Sequence, residues 1–484
     1  MVMTTTLMRG AAATLLALTL WLQSGAAIAQ TAGSDSANAA PGAAATATAP
    51  AATPAATPAV TVAQASAAPT GTAPAPAAAA KPQINGADTA WMLISTVLVL
   101  LMTIPGIILF YGGMLRTKNA LSIVAHTLAA TAVITVLWAM CGYSIAFTNG
   151  NGYFGDLSRL FAAGLIGKNV GVHAAAPTIP ESVFFLFQLS FAIITFALIL
   201  GATAERMRLG AAVAFAALWS VIVYAPVAHW IWNPTGWLAK MGHMDFAGGT
   251  VVHIASGVSG LVAAWVLGPR RGFGREPMVP HNLMITVLGA GLLWAGWFGF
   301  NAGSAFEAST RAAGALLATQ VAACSGAMFW GLCEYMKRGQ WSVLGSFTGA
   351  IAGLIGVTPA SGFVGVDGAL IIGAVTGVVC FFAVVYFKAK TGIDDSLDVF
   401  ALHGVGGLVG TLMTPMMATA AVAPITATVW TNAIGAMAVM AYAGAATWII
   451  LSLIGVVMNL RVDAESEKVG LDVAQHGEML APNA

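Results

Sequence analysis

The chain is 484 residues long, with 58% hydrophobic and only 8% charged residues. Soluble proteins carry about 25% charged residues, so an ordinary soluble enzyme is excluded. The 19 basic and 18 acidic residues give a net charge of +1, which offers no electrostatic surface for nucleic acid. The composition therefore predicts that the chain has a lipid bilayer as its partner.

The first segment in chain order, residues 1–29, has the features of a secretory signal peptide. Arg9 precedes an apolar run at 11–22, and residues 27–29 form an Ala-x-Ala cleavage pattern. The alternative is an additional transmembrane helix. We favour the signal peptide because the apolar run is shorter than the roughly 20 residues that span a bilayer.

Residues 30–86 come next and consist almost entirely of Ala, Pro, Thr and Ser. Asp35 and Lys81 are their only charged residues, and large apolar residues are too few to build a core. Such a composition is typical of a disordered, partly extended linker. After signal-peptide cleavage the linker would lie in the periplasm, before a membrane domain at 87–461 and a C-terminal tail at 462–484.

The membrane domain contains eleven apolar segments that are long enough to span a bilayer. The predicted fold class is an all-α, multi-pass membrane protein with eleven transmembrane helices. With the N-terminus outside, thirteen basic residues fall on the inside and five on the outside, which follows the positive-inside rule and places the C-terminus in the cytoplasm. The approximate span centres are Leu100, Val133, Ile193, Leu218, Ser256, Leu292, Ala323, Ala350, Val375, Gly407 and Ala446.

The sequence also contains an internal repeat. Residues 257–262 (Gly-Val-Ser-Gly-Leu-Val) follow His253 in span 5, and residues 404–409 (Gly-Val-Gly-Gly-Leu-Val) follow His403 in span 10. A second short match, between the ends of spans 3 and 8, has the same five-span offset. Because an odd offset reverses the direction of crossing, spans 1–5 and 6–10 are predicted to form an inverted repeat with a functional site near the midplane.

Polar side chains inside the spans are the candidates for function, since ionisable groups are costly at bilayer depth. A single buried histidine is usually a structural one, but His253 and His403 occupy matching spans of the repeat. Two facing imidazoles would share a hydrogen bond and offer ring nitrogens to a small polar solute. Asp245 precedes span 5, and two roles stay open for it: a helix N-cap, or direct electrostatic binding at the pore mouth.

Four cysteines lie in apolar stretches, at spacings that fit neither a zinc site nor a disulfide framework. They are predicted to be small apolar residues of the core. No metal or other cofactor is expected. The four residues are Cys141, Cys324, Cys333 and Cys380.

Four motifs resemble signatures of the ammonium transporter (Amt/Mep/Rh) family, in the family's order. They lie at 103–113 (Thr-Ile-Pro-Gly-Ile-Ile-Leu-Phe-Tyr-Gly-Gly), 245–253 (Asp-Phe-Ala-Gly-Gly-Thr-Val-Val-His), 296–304 (Gly-Trp-Phe-Gly-Phe-Asn-Ala-Gly-Ser) and 398–403 (Asp-Val-Phe-Ala-Leu-His). The tail at 470–478 is similar to that of bacterial members. The resemblance implies transport of ammonium or ammonia across the bacterial cytoplasmic membrane, by a homotrimer with one pore in each subunit.

The resemblance also implies roles for individual residues. His253 and His403 match the family's twin histidines, which line a narrow hydrophobic pore. The residues that match its outer ammonium recruitment site are Phe187, Phe191, Trp232 and Ser304. The ring pair that blocks the pore matches Phe191 and Phe300, and Trp297 lines the neighbouring wall. Aromatic faces and a hydroxyl oxygen suit a small cation with N–H donors.

Energetics indicate how such a pore would work. Moving an ion into a low-dielectric path costs an idealised energy on the order of 20 kcal/mol, whereas neutral ammonia crosses far more cheaply. We therefore expect ammonium to lose its proton at the outer mouth and to cross as ammonia. Two alternatives stay open: the proton follows through the histidines and water, or it returns outside.

The acidic tail fits a passive terminus by composition, whereas the resemblance implies a tail packed beside a docking site for a P-II nitrogen regulatory protein. Two alternatives to ammonium transport stay open: an ammonium sensor and a transporter of another small solute. A sensor would be expected to carry a signalling domain, and about two dozen residues follow Leu460. An intramembrane enzyme is not expected, because no nucleophile or metal-ligand cluster accompanies the histidines.

Overall fold

The computed structural model describes residues 83–168 and 170–480. The predicted signal peptide at 1–29, and the predicted linker up to residue 82, lie outside the described residues. Within the described part of the chain, regular secondary structure is helical, accompanied by isolated β-bridges. The first helix begins at Gly86, where the Asn85 side chain accepts the N–H groups of Ala87 and Asp88 as an N-cap.

Eleven apolar helices make up the body of the protein. Among the described residues, ten helices are long and apolar enough to cross a bilayer, and one further apolar helix, α8, has 15 residues. Each predicted span centre lies in the corresponding helix, so the predicted eleven-span fold is confirmed. In chain order the helices are α1 (Gly86–Met114), α2 (Thr117–Phe147), α3 (Glu181–Thr203), α4 (Leu209–Lys240), α5 (Gly249–Leu267), α6 (Leu283–Gly303), α7 (Thr310–Arg338), α8 (Val343–Val357), α9 (Val366–Thr391), α10 (Phe400–Met417) and α11 (Val429–Val457).

Successive helices alternate in direction, so α1 begins at one face of the bundle and α11 ends at the other. We call these the N-face and the C-face. At the N-face, Asn85 before α1 donates its N–H to the carbonyl of Thr178 before α3 at 2.7 Å. At the C-face, Arg208 before α4 donates to the carbonyl of Leu460 after α11 at 2.9 Å. The two ends of the membrane domain therefore lie on opposite faces.

Helices α5 and α10 cross at a point where both backbones come unusually close. Each begins with a π-helical turn, Gly249–Ile254 in α5 and Phe400–Gly404 in α10. A Cβ atom at Gly257 would lie 2.2 Å from the Gly404 nitrogen. Reciprocally, a Cβ atom at Gly407 would lie 2.8 Å from a side chain of α5. This two-way contact between matching glycine-rich segments has the form expected of the inverted repeat.

A buried ionic cluster links four loops at the C-face. Arg270 donates to Glu205 at 3.0 Å and to Asp394 at 2.8 Å, and Arg116 also binds Glu205, at 2.8 Å. Burial alone would raise the pKa of Glu205, but the two guanidinium groups hold it below its usual value. The cluster links the loops after α1, α3, α5 and α9, so it fixes the C-face ends of the helices that surround the bundle centre.

The C-terminal tail packs against the C-face rather than forming a passive terminus. After the short helix α12 (Ala464–Val469), the Asp472 carboxylate accepts the N–H groups of Leu121 and Ser122 at 3.0 and 2.7 Å. These N–H groups lie in the first α-helical turn of α2, which follows a 3-10 turn at Thr117–Asn119, and an acidic side chain is favourable there. The Gln475 side chain likewise accepts the N–H of Leu209, in the first turn of α4, at 2.8 Å.

Candidate functional site

A cavity of about 50 Å³ lies at the N-face end of the bundle. It brings together three of the residues predicted for an outer binding site, Phe191, Trp232 and Ser304. The fourth, Phe187, packs behind the cavity with its ring 4.9 Å from that of Phe191. The full set of lining residues is Ala175, Phe184, Gln188, Phe191, Trp232, Phe246, Ser304 and Phe306.

Two polar contacts orient the lining of this outer cavity. The Trp232 ring meets Phe191 edge-on at 5.7 Å, and its Nε1–H donates to the Asp245 carbonyl at 2.9 Å. The Ser304 hydroxyl donates to the Phe300 carbonyl at 2.9 Å, which leaves its oxygen lone pairs free to accept. Aromatic faces and an acceptor oxygen therefore meet in a small cavity, a combination suited to a compact cation with N–H donors.

Asp245 holds the start of α5. Its two carboxylate oxygens accept four backbone N–H groups at 2.6–3.0 Å, which is the contact pattern of a helix cap. Through its own carbonyl it also holds Trp232. The geometry thus supports the N-cap alternative; direct binding of a solute by Asp245 stays a prediction. The four donors are Gly248, Gly249, Thr250 and Val251.

Below the outer cavity, two stacked rings separate it from the bundle centre. The rings of Phe191 and Phe300 lie 4.2 Å apart with an angle of 21° between their planes. Both side chains are almost fully buried. A solute passing from the outer cavity inward must therefore displace or rotate these rings.

The second cavity, of about 20 Å³, lies beyond the stacked rings and contains the two predicted histidines. Their Nδ1 atoms are 3.1 Å apart, so one imidazole donates and the other accepts. The Nε2 atom of His253 is buried and has no hydrogen-bond partner among residues 83–168 and 170–480. Trp297 flanks the pair, with its ring 5.6 Å from that of His253 and its Nε1–H bound to Thr358 at 2.9 Å.

Apart from the histidines, the central cavity is lined mainly by apolar side chains. Apart from Trp297 and Phe300, sequence reasoning did not single out these lining residues. Two of them, Val252 and Leu402, immediately precede the two histidines, so they could have been found as sequence neighbours of the predicted pair. Tyr111, within the predicted motif at 103–113, lines the cavity and donates its hydroxyl to the carbonyl of Leu198 at 3.3 Å. Other lining residues are Met102, Ile107, Phe110, Ile194, Leu293, Ile351 and Leu397.

The part of the chain that the structure describes contains no cluster of three or more His, Cys, Asp or Glu residues able to hold a metal ion.

The prediction that all four cysteines belong to the core was wrong. Cys380 is buried, but Cys324 is exposed on α7, and Cys141 and Cys333 are half-buried. An apolar stretch shows that a residue lies in a membrane helix, but not which side of that helix faces the lipid.

The fold and site together define a multi-pass helical membrane protein with two small cavities inside a single chain. A sequence profile described as the Ammonium Transporter Family matches residues 90–481. The ammonium transporter of Bacillus subtilis is 43% identical over 400 residues, which cover 81% of this chain and 97% of that protein. The ammonium transporter of Mycobacterium tuberculosis is 44% identical over 431 residues, covering 81% and 90%. The chain therefore belongs to the ammonium transporter family.

Solved structures show the same similarity. Candida albicans Mep2 superimposes with a TM-score of 0.74 at 38% sequence identity, covering 82% of this chain and 90% of that one. A structure named "Sensor Amt Protein" superimposes with a TM-score of 0.75 at 30% identity, covering 81% and 98%.

Proposed function

We propose that the chain conducts ammonium nitrogen across a bilayer, taking up ammonium in the outer cavity and passing ammonia through the central one. The observation that carries this proposal is the imidazole pair, with 3.1 Å between Nδ1 atoms, in an apolar cavity of about 20 Å³ behind stacked phenylalanine rings. Such a cavity is about large enough for one water-sized molecule. Ammonia has that size, and its lone pair and N–H groups match imidazole nitrogens.

The outer cavity suits the ammonium cation, and the central cavity suits neutral ammonia. The outer cavity offers the Trp232 and Phe191 faces and the Ser304 oxygen, which stabilise a cation. The central cavity offers no charged side chain among its lining residues. Because an unpaired charge in an apolar interior costs several kcal/mol even after relaxation, ammonium gives up its proton before the stacked rings. The proton then either follows through the imidazole pair or returns to the side of entry.

We assign the N-face to the outside of the bacterial cytoplasmic membrane and the C-face to the cytoplasm. Basic residues concentrate at the C-face ends of the helices, as the positive-inside rule requires. The predicted signal peptide and periplasmic linker precede an N-face start of α1, which is consistent with this orientation. The C-face cations at helix ends and loops include Arg116, Arg206, Arg270, Arg271, Lys337, Arg338, Lys388 and Lys390.

A homotrimer is the assembly we propose. Gln320 supports it, because this amide is exposed on α7 at the depth of the membrane, with its side chain accepting the Trp294 indole N–H at 3.2 Å. A polar side chain facing lipid is costly, so this surface is better suited to contact with another subunit.

A P-II nitrogen regulatory protein is the cytoplasmic partner we propose. The tail is held to the C-face by Asp472, and it presents exposed apolar side chains at Val469, Val473 and Met479. A sensor function is the alternative, and the structure named "Sensor Amt Protein" is 30% identical. The relatives named as ammonium transporters reach 43–44% identity, which favours transport as the main function.

Uptake of the ammonium analogue methylammonium, by cells that lack their own transporter, tests the proposal. Cells expressing the chain should accumulate labelled methylammonium, and His253→Ala or His403→Ala should reduce uptake or relax its selectivity. His281→Ala is the matched control, because this histidine binds the Leu115 carbonyl at the C-face, away from the cavities. Uptake that is unchanged in both pore variants, at equal expression, would show that the imidazole pair does not form the path.

A further inference from the structure

Two aspartates occupy equivalent places in the inverted repeat. Asp245 lies eight residues before His253, and Asp395 lies eight residues before His403. Each stands in the loop that leads into its helix, α5 or α10. Because the two halves are inverted, Asp245 lies at the N-face end of the path and Asp395 at the C-face end.

The two carboxylates differ sharply in their hydrogen bonds. Asp245 accepts four backbone N–H groups, two on each oxygen. In Asp395, Oδ2 accepts the Phe400 N–H at 2.7 Å, and Oδ1 has no partner among the residues that the structure describes. The Asp395 side chain is nevertheless buried, at 1% exposure. A buried carboxylate oxygen without a donor is costly, and binding a proton removes that cost.

The cations near Asp395 are engaged by other groups. Lys388, on α9, binds Asp398 at 3.0 Å. Arg206, in the loop after α3, donates to the Asp394 carbonyl and to the Ser396 hydroxyl, both at 2.6 Å. Asp395 therefore interacts with both cations at longer range but forms no ion pair with either. This leaves its free oxygen available for exchange of a proton.

Asp395 is also linked to the path itself. Leu402 and His403, seven and eight residues after Asp395, line the central cavity. Leu397, two residues after Asp395, lines the same cavity. Burial raises the pKa of Asp395, although the Phe400 N–H and the Lys388 charge oppose this shift. The group can thus hold a proton closer to neutral pH than an ordinary aspartate.

We propose that Asp395 returns a proton to ammonia at the C-face end of the path. This inference rests on the proposed function, since it requires that ammonia leaves the imidazole pair as a neutral molecule. The ammonia lone pair forms an N–H bond as the O–H bond of Asp395 breaks, which yields ammonium and a carboxylate. The carboxylate is protonated again by hydronium from the C-face solution, or by the proton that the imidazole pair has conducted.

Transport by purified protein in liposomes, measured from mildly acidic to mildly alkaline pH, tests this role. Asp395→Asn keeps an acceptor for the Phe400 N–H but cannot give up a proton. We expect about a tenfold loss of rate at alkaline pH, the lower end of what acid catalysis contributes, with recovery at acidic pH where hydronium replaces the carboxyl group. Glu276→Gln is the matched control, because it removes an exposed carboxyl group from the C-face loop after α5, and it should keep the wild-type pH profile.

A purely structural role for Asp395 would lower the rate equally at every pH, so that result would overturn the proposal, as would a variant with the wild-type profile. If the amide prevents folding, Asp395→Ser supplies an oxygen acceptor without a titratable group and should show the same pH-dependent loss. Absence of transport by the wild-type chain would instead contradict the proposed function.

Infrared spectroscopy provides a readout that does not depend on transport. The wild-type protein should show a protonated carboxyl band that titrates at higher pH than an ordinary aspartate and disappears in Asp395→Asn. The Asp398→Asn variant is measured as well, because burial raises the pKa of Asp398 to about 6, against the opposing charge of Lys388. A band lost only in Asp398→Asn would assign the proton to that residue and overturn the role of Asp395.

Discussion

Replacing Gly257 by alanine should separate the two histidines. The new Cβ atom would lie 2.2 Å from the Gly404 nitrogen and 2.4 Å from its Cα, both backbone atoms that cannot rotate away. Non-bonded carbon atoms rest at about 3.5–4.0 Å, so α5 and α10 must part by about 1 Å or more. That movement takes the imidazole pair from 3.1 Å to ~4 Å, beyond hydrogen-bond distance. Overpacking of this kind costs about 1–3 kcal/mol of stability.

Methylammonium uptake at equal membrane expression, together with thermal stability in detergent, measures both effects. We expect Gly257→Ala to lower the melting temperature and to lose most of its uptake. Gly291→Ala in α6 is the matched control, because a Cβ atom there meets nothing within 4 Å. If Gly257→Ala transported as well as this control, the close crossing of α5 and α10 would not be what positions the imidazole pair.

Three further outcomes are expected. Arg270→Met should destabilise the protein by about 3–5 kcal/mol, because it leaves Glu205 and Asp394 buried without their shared cation; an unchanged melting temperature in detergent would contradict this. Asp472→Asn should loosen the tail from α2, so that limited proteolysis cuts the tail faster and the proposed inhibition by P-II weakens. Cleavage kinetics equal to those of the wild type would argue against a docked tail. Ser304→Ala should raise the apparent KM for ammonium more than it lowers the maximal rate, and an unchanged KM in concentration-dependent uptake would remove Ser304 from the recruitment site.

The helices could be predicted from the sequence because each span is a long apolar run whose composition is imposed by lipid. Even α8, with 15 residues, was located by its centre at Ala350. The π-helical turns at Gly249–Ile254 and Phe400–Gly404 could not be predicted. A single wider turn changes neither composition nor period, yet it sets the direction in which His253 and His403 point.

The histidine pair was predictable because its members lie in the two spans that carry the matching glycine-rich segments. The C-face ionic cluster was not, since Arg270 is 65 residues from Glu205 and 124 from Asp394, and no periodicity links such distant positions. The difference in hydrogen bonding between Asp245 and Asp395 could not be predicted either. Both stand eight residues before a histidine, and only the folded backbone decides which N–H groups each carboxylate meets.

Reconstituted protein, exposed to an inward ammonium gradient while lumenal pH and charge movement are recorded together, tests the central claim most directly. The wild-type protein should bring ammonium nitrogen into the lumen, and the double variant His253→Ala, His403→Ala should lose that flux or admit other cations of similar size. Current with uptake would assign the proton to the imidazole route, and uptake without current would assign it to the side of entry. If the double variant transported ammonium with the rate and selectivity of the wild type, a path formed by the imidazole pair would be contradicted.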